Sequence, residues 1–526
     1  MVVFELVIGL LFVGAVLSIG ARRANVPYPA LLALAGAALA LLPNVPSVVL
    51  DPELALTLFV APVLLDAAFD SSPRDLKENW RQITGLALLA VGLTVVAVAL
   101  VAHALVPSLP WAAAIALGAI VAPPDAAAAT AVLKQLRLPH RLLVILEGES
   151  LFNDASALLI YRLAVAAAIT GTFSGWMALP TLVASSLGSV LLGLVLGRIT
   201  LATIGRIQDA ATAVLLQFLS TFCVWILAER VHLSGIITVV VFGISVARPA
   251  AERTPARLRV PTNAVWEVSV FVLNVLAFIL VGLQLKPILQ HLSPAQLVSY
   301  TAAAAAVCAT VILVRFVWVL LYELGARWLR ARFAARRKKP ARHPSAGAAL
   351  LVAWCGMRGT VTLAAALALP VGDGAHAAFP QRDFVLFTAF CVVLVTLVLQ
   401  GMTLSPLIGL LALDDDGAVE HEVRLAREAT ARAGLDTLDP AQGGEGEASL
   451  LRRKYELRLQ RFQGVLAEPD GRENGAAAPD PLQRALAAER HMLSDLRARG
   501  VIGDDAFHRV EEELDWADLN ANARAR

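Results

Sequence analysis

At 526 residues the chain is 58% hydrophobic and only 16% charged, with a mean hydropathy of +0.69, well outside the soluble range of about 45–50% apolar and about 25% charged. A formal net charge of +2, with the basic residues segregated into loops, gives no support to nucleic-acid binding, and no P-loop supports ATP-driven chemistry. What remains is an all-α polytopic membrane protein whose first partner is lipid.

In chain order, the first apolar run has no basic region ahead of it, and Arg22 and Arg23 follow it, so it reads as an uncleaved helix rather than a signal peptide. With roughly 20 residues needed per crossing, about thirteen spans are expected, near 2–20, 27–43, 53–70, 83–106, 111–134, 141–170, 176–204, 210–230, 232–248, 264–285, 296–326, 346–372 and 382–413. The odd-numbered loops hold 22 Lys/Arg and the even-numbered loops 3. That asymmetry predicts a plasma-membrane protein with its N-terminus outside and its C-terminal tail in the cytoplasm. The densest basic patch, ARWLRARFAARRKKPARH, reads as a topology anchor facing anionic lipid. Cys223, Cys308, Cys355 and Cys391 each sit in an apolar run without metal-ligand spacing and read as small buried hydrophobes.

Residues 1–413 thus form the transmembrane domain and residues 414–526 a charged tail. There PAQGGEGEAS and EPDGRENGAAAPDP read as linkers between short amphipathic helices.

Two spans look broken. The fifth, LGAIVAPPDAAAATAVLK, carries Pro123 and Pro124 in mid-span with Asp125 directly after them; the twelfth, LVAWCGMRGTVTLAAALAL, brackets Arg358 with Gly356 and Gly359. Discontinuous helices at corresponding positions of two halves point to a transporter site near the bilayer midplane. Each break is fifth in a half of six if the seventh helix is a linker.

The sixth span opens with LEGESLFNDASALLIYR, placing Glu147, Glu149, Asn153 and Asp154 within eight residues. Ionisable groups at bilayer depth cost at least a few kcal/mol and imply function. On a helix, Glu149 and Asn153 are i and i+4, as are Ser150 and Asp154, so the pairs form adjacent stripes. Arg358 reads as the one strong cation in another span, with Glu149 its natural partner. Asp154 and Ser150 are then left to face a ligand, and Asp66, in LFVAPVLLDAAFD, adds a second carboxylate. Hard oxygens without His or thiolate suit an alkali cation. Without a partner His or metal cluster, the acids do not read as hydrolytic, so no enzyme is expected. Glu267 and Glu229 near helix ends read as structural or gating, and His103 and His232 as membrane-edge residues.

The ordered set GESLFNDASALLIYR, GAIVAPPDAAAATAVL, LLDAAF, VWEVSVFVLNVLAFILVGLQL and GMRGTVTLA resembles the monovalent cation:proton antiporters of the NhaP and sodium/proton exchanger type, over nearly all of residues 1–413. The tail is also similar to the C-terminal helices of bacterial members. The resemblance implies two inverted six-helix repeats with crossed discontinuous helices, the NhaA-like antiporter fold, in a homodimer with elevator-like alternating access. It implies that Asp154 binds cation or proton, that Asn153 completes the Asn-Asp pair, that Ser150 helps coordinate the ion, and that Glu149 and Arg358 form a core ion pair. Asp66 falls where many members have Glu. Pro124-Asp125-Ala126 replaces the commoner Thr-Asp-Pro, leaving the main-chain carbonyl of Pro124 as a ligand. No cofactor is implied beyond the transported Na+, K+ or Li+ and H+, and Asn153 in place of a second Asp implies electroneutral one-for-one exchange. A cation channel would want a continuous polar lining, and a sensor would want an effector domain in the tail.

Overall fold

The computed structural model is all-helical and describes residues 2–24, 26–43, 51–125, 129, 133, 138–171, 175–204, 206–207, 209–290, 292–333, 346–371, 378–411, 413, 417–438, 447–462 and 479–524. The basic patch around 334–345, most of both tail linkers, Ala126 and most of the continuation of the fifth span lie outside the described residues. Eight helices among the described residues are long and apolar enough to cross a membrane, and three shorter apolar helices accompany them.

The membrane helices are α1 (Val2–Ala24), α2 (Tyr28–Ala40), α3 (52–70), α4 (Pro73–Leu105), α5 (Trp111–Val121), α6 (His140–Thr170), α7 (Gly175–Ile204), α8 (Ala210–Arg230), α9 (Gly235–Arg253), α10 (Ala256–Gln290), α11 (Pro294–Phe333), the half-helices α12 (Ala346–Trp354) and α13 (Thr360–Leu367), and α14 (Arg382–Leu411). They sort into two packed groups. In one, α4, α5, α6, α11, α13 and α14 pack on one another; in the other, α2 and α1 pack on α10, while α9 packs on α3, α7 and α8. The groups meet where α6 touches α3 and α9, where α13 touches α3 and α10, and where α14 touches α2 and the end of α10.

Small residues set the closest approach. A Cβ at Gly36 of α2 would lie 2.2 Å from the Ile279 carbonyl oxygen, and one at Gly282 of α10 would lie 2.2 Å from that of Ala33. The backbones touch there, as membrane helices do where dispersion rather than hydrophobic exclusion drives packing.

Two helices begin earlier than hydropathy predicts. α4 starts at Pro73, ten residues before the expected apolar start, because the Ser72 hydroxyl accepts from the Asp75 amide at 3.4 Å and Pro73 suits the first helical position. α10 starts at Ala256 rather than near 264. Hydropathy finds where a helix meets lipid, whereas at α4 capping decides where it begins. α6 closes at Gly171, whose φ of +67° lies in the left-handed region.

The tail is more than an appendage. Helices α15 (Ala418–Asp436), α17 (Pro479–Ala498) and α18 (Asp504–Arg524) enclose a small core of Val423, Ala426, Leu493, Phe507 and Val510, and α16 (Glu447–Phe462) packs on α15. Arg74, His140, Arg248 and Arg259, all in or beside odd-numbered loops, hold tail carboxylates.

Candidate ion-binding site

Interruption of α5 is the first element of the site. α5 ends at Val121, just before two prolines that cannot continue it, and the Asp125 amide that would have bonded the Val121 carbonyl goes elsewhere, so carbonyls at its end lack helical donors. Arg358, in the unwound 355–359 segment between α12 and α13, takes over. Its Nε donates to the Val121 carbonyl at 3.0 Å, its Nη2 to that of Ala122 at 3.2 Å, and its Nη1 to that of Gly356. A buried cation thereby sits at the negative end of a half-helix.

The reciprocal contact is made by Asp125. Its amide donates to the Met357 carbonyl at 2.7 Å, the main-chain bond at which the two unwound segments cross. Its carboxylate lies over Gly359, the N-cap of α13, so closely that a Cβ there would be 1.6 Å from Oδ2. An anion thus faces the positive end of the other half-helix.

The expected Glu149–Arg358 pair is not formed. Glu149 is gripped in a fork by Arg315 of α11, with Nη2 to Oε2 at 2.8 Å and Nη1 to Oε1, while Arg315 Nε donates to the Val352 carbonyl at 3.1 Å. All three side chains are essentially buried, Glu149 at 1%, Arg315 at 4% and Arg358 at 1% exposure. Three orphan carbonyls suffice for Arg358, which leaves Glu149 to a cation from a regular helix. Sequence reasoning passed over Arg315, although in TVILVRFVWVL it is as isolated in apolar sequence as Arg358 and carries the same cost.

Between these pairs lies the polar stripe of α6. Asn153 is fully buried and its Nδ2 donates to the Pro124 carbonyl at 2.9 Å. Its Oδ1 accepts from the Asp154 amide. Asp154 is 6% exposed, and no hydrogen-bond donor among the described residues reaches its carboxylate. Ser150, Glu149, Pro124 and Cys355 help line a cavity of about 10 Å3, room for one particle the size of water. The structure therefore brings Asn153, Pro124, Asp125 and Arg358 to one crossing, with Asp154 beside it and Ser150 on the cavity wall. Asp66, half-buried on α3, accepts from the indole Nε1 of Trp266 on α10 at 2.8 Å, a tie within the other helix group.

Segments of π-helix at 85–90 of α4 and 396–400 of α14 flank this crossing. Such segments free backbone groups and recur at functional sites. The Ser156 hydroxyl donates to the Ala87 carbonyl at 2.7 Å, and Thr396 Oγ1 accepts from the Arg358 amide at 3.0 Å. Gln400 is fully buried with neither amide atom paired among the described residues. None of Ser156, Thr396 or Gln400 carries a charge to mark it in sequence. Away from the site, Glu229 pairs with Arg162 at 3.1 Å, Glu267 is exposed, His103 contacts the Leu109 carbonyl at 2.8 Å, and His232 occupies a tight turn at φ +59°.

Comparison with known proteins agrees with this architecture. The family model described as "Sodium/hydrogen exchanger, transmembrane" matches residues 7–409. A Mycobacterium tuberculosis protein named as an uncharacterized Na+/H+ exchanger is 32% identical, over 98% of this chain and 96% of its own length. A sodium, potassium, lithium and rubidium/H+ antiporter from Bacillus pumilus is 31% identical, over 83% of this chain and 66% of its own. In fold, the chain is similar to the sodium proton antiporter MjNhaP1 of Methanocaldococcus jannaschii, with a TM-score of 0.60 at 19% identity, covering 78% of this chain and 98% of that one.

Proposed function

The chain belongs to the sodium/hydrogen exchanger family, and from that premise we propose that it exchanges an alkali cation for H+ across the plasma membrane, with Asp154 taking cation and proton in turn. The observation that carries this reading is the Asp154 carboxylate, buried beside the helix crossing and met by no donor from the described residues. A buried carboxylate in that setting needs a counter-charge, and either a proton or a monovalent cation supplies it. The named ions of the Bacillus relative support a substrate range of Na+, K+ and Li+.

Charge balance favours one-for-one exchange. At the crossing carried by the α4–α6 group, Glu149, Asp125 and Asp154 stand against Arg315 and Arg358 (3 acids, 2 bases), so that crossing is neutral with one H+ or one monovalent ion, Asp66 belonging to the other group. Ser150 and the Pro124 carbonyl complete the ligand set beside Asp154, with Asp66 joining from α3 and Asp125 holding α13 in place. Burial of an uncompensated charge is costly, so the empty, anionic form moves reluctantly and the loaded forms move readily, which couples the two fluxes.

We place this chemistry in two inverted six-helix repeats forming about thirteen spans, in a homodimer. The α4–α6 group travels elevator-like against the α3, α9 and α10 group, with the N-terminus outside and residues 414–526 as a cytoplasmic domain. A reconstitution test settles the reading: liposomes carrying a pH gradient receive Na+, K+ or Li+, with wild type and Asp154→Asn compared. Gradient collapse by at least one cation, lost in the variant, is expected. A gradient unaffected by every cation, or an active variant, overturns it.

A further inference from the structure

Along α14, Thr396, Gln400 and Thr403 follow one another at i, i+4 and i+7, which places them on one helix face. The two outer members show what that face meets. Thr396 Oγ1 accepts from the Arg358 amide, and Thr403 Oγ1 accepts from the indole Nε1 of Trp354 at 3.0 Å, so the face runs beside the 354–358 stretch where α12 ends and the chain unwinds. Met357 leans the same way, since a Cβ at Gly401 would lie 3.4 Å from its Sδ. Gln400, between the two threonines, therefore faces residues 355–357. Both threonines also donate to carbonyls one turn back, those of Val392 and Leu399. Gln400 is fully buried, yet neither Oε1 nor Nε2 meets a partner among the described residues. A primary amide brings two donors and an acceptor oxygen, and buried groups of that kind are satisfied by protein or by ordered water.

We propose that the Gln400 amide holds a water molecule against the unwound 355–357 backbone and thereby positions the ion site. For its link to transport the inference rests on the antiport reading. A water accepting from Nε2 can donate to a main-chain carbonyl of the segment, a bridge nearly as good as a direct hydrogen bond. The π-helical turn at 396–400 widens α14 at this level and leaves room for it. What the bridge braces is the part of the crossing that matters for the ion. The Met357 carbonyl accepts the Asp125 amide at 2.7 Å, and Cys355 lines the cavity with Ser150 and Pro124. Gln400 is thus a positioning residue, acting on the cation through the segment without touching it. If the amide served only to fill space, leucine would serve as well.

Gln400→Leu removes the amide at similar size, and two readouts on full-length protein test the bridge. The first is X-ray radiolytic footprinting in detergent. Met357 is 1% exposed, so radicals formed in bulk solvent do not reach it and its oxidation reports a bound water. Labelling of Met357 is expected in wild type and should fall severalfold in Gln400→Leu. The second is cation-driven proton flux in liposomes, where Gln400→Leu should raise the half-saturating cation concentration severalfold and change the maximal rate less than twofold. Gln400→Asn, which keeps the amide on a shorter stem, should lie between the two in both readouts, and it carries the test where Gln400→Leu lowers yield. Met357 unlabelled in wild type, labelling undiminished in the variants, or an unchanged half-saturation overturns the proposal. A wild type without cation-driven flux would defeat the antiport reading alone, because footprinting tests the water independently of transport.

Discussion

Two regions of this molecule solve the problem of buried charge in opposite ways. At the helix crossing, Arg358 and Asp125 are compensated by the ends of interrupted helices, three carbonyls for the cation and the N-terminus of α13 for the anion. At the tail interface, Arg259 and Arg248 are compensated by carboxylates of another element. Backbone ends compensate without using up a side-chain charge, so a net negative charge is left over at the crossing for a transported ion. Salt bridges consume charge in pairs, and the tail contact is a fastening rather than a site.

That contrast can be broken most severely at Asp154. Asp154→Asn is expected to abolish cation-dependent proton flux while leaving a monodisperse protein, since no partner among the described residues loses a hydrogen bond; a variant retaining half of the flux would contradict this. Next comes the Glu149–Arg315 fork. Removing one partner of a buried pair strands the other and costs about 3–5 kcal/mol, so Arg315→Ala is expected to lower the thermal midpoint sharply in detergent. Arg315→Leu with Glu149→Leu should recover most of the loss, and equal destabilisation by the single and double variants would refute the pairing.

Gly359→Ala is a smaller perturbation of the same crossing. With a Cβ placed 1.6 Å from Asp125 Oδ2, the carboxylate must leave the α13 N-terminus, and flux is expected to fall about tenfold or more, the effect of about 1.4 kcal/mol at a barrier. Wild-type flux in Gly359→Ala would show that Asp125 is not needed there. Trp266→Phe removes the donor to Asp66, worth about 0.5–1.5 kcal/mol for a hydrogen bond, or more to a charged group. It should change the half-saturating cation concentration severalfold with little change in maximal rate; an unchanged half-saturation would detach Asp66 from the ion.

The tail supplies the gentlest test, through pH. Burial raises the Asp504 carboxyl, but Arg497, Ser72 and Arg248 outweigh it and hold it below its ordinary 3.8; burial likewise raises Asp505, yet His140 and His508 outweigh it despite Asp75. Because the docked values are depressed, the stability these groups give is present above the free value and lost as pH falls through the docked one. Protease resistance of α15 and α18 should therefore persist from neutral down to about pH 5 and disappear only below about pH 4, close to the free carboxylate value. Release between pH 6 and 7 would contradict this.

Much of the site was legible because intramembrane charge and proline are rare and costly. Asp154, the break after Val121 and the break around Arg358 announced themselves that way, whereas Asn153 and Ser150 stood out through their i, i+4 spacing to Glu149 and Asp154. Pairing was less legible. Arg358 and Arg315 are equally isolated in sequence, and only the position of the orphan carbonyls of α5 decides which guanidinium meets Glu149. The docking of the tail was not legible at all, since Arg74, Arg248 and Arg259 look the same whether they face lipid headgroups or the carboxylates of α15 and α18. Helix starts were missed at α4 and α10 for a related reason: their polar first turns are specified by caps and by the tail, not by lipid.

The central claim is that cation and proton compete for the Asp154 carboxylate, and proton release on binding tests it most directly. Purified protein in a weakly buffered detergent solution would be titrated with Na+, K+ and Li+ while pH is followed. The account predicts release of close to one proton per bound cation from wild type, and none from Asp154→Asn. Cation binding without proton release, or equal release from the variant, would contradict it.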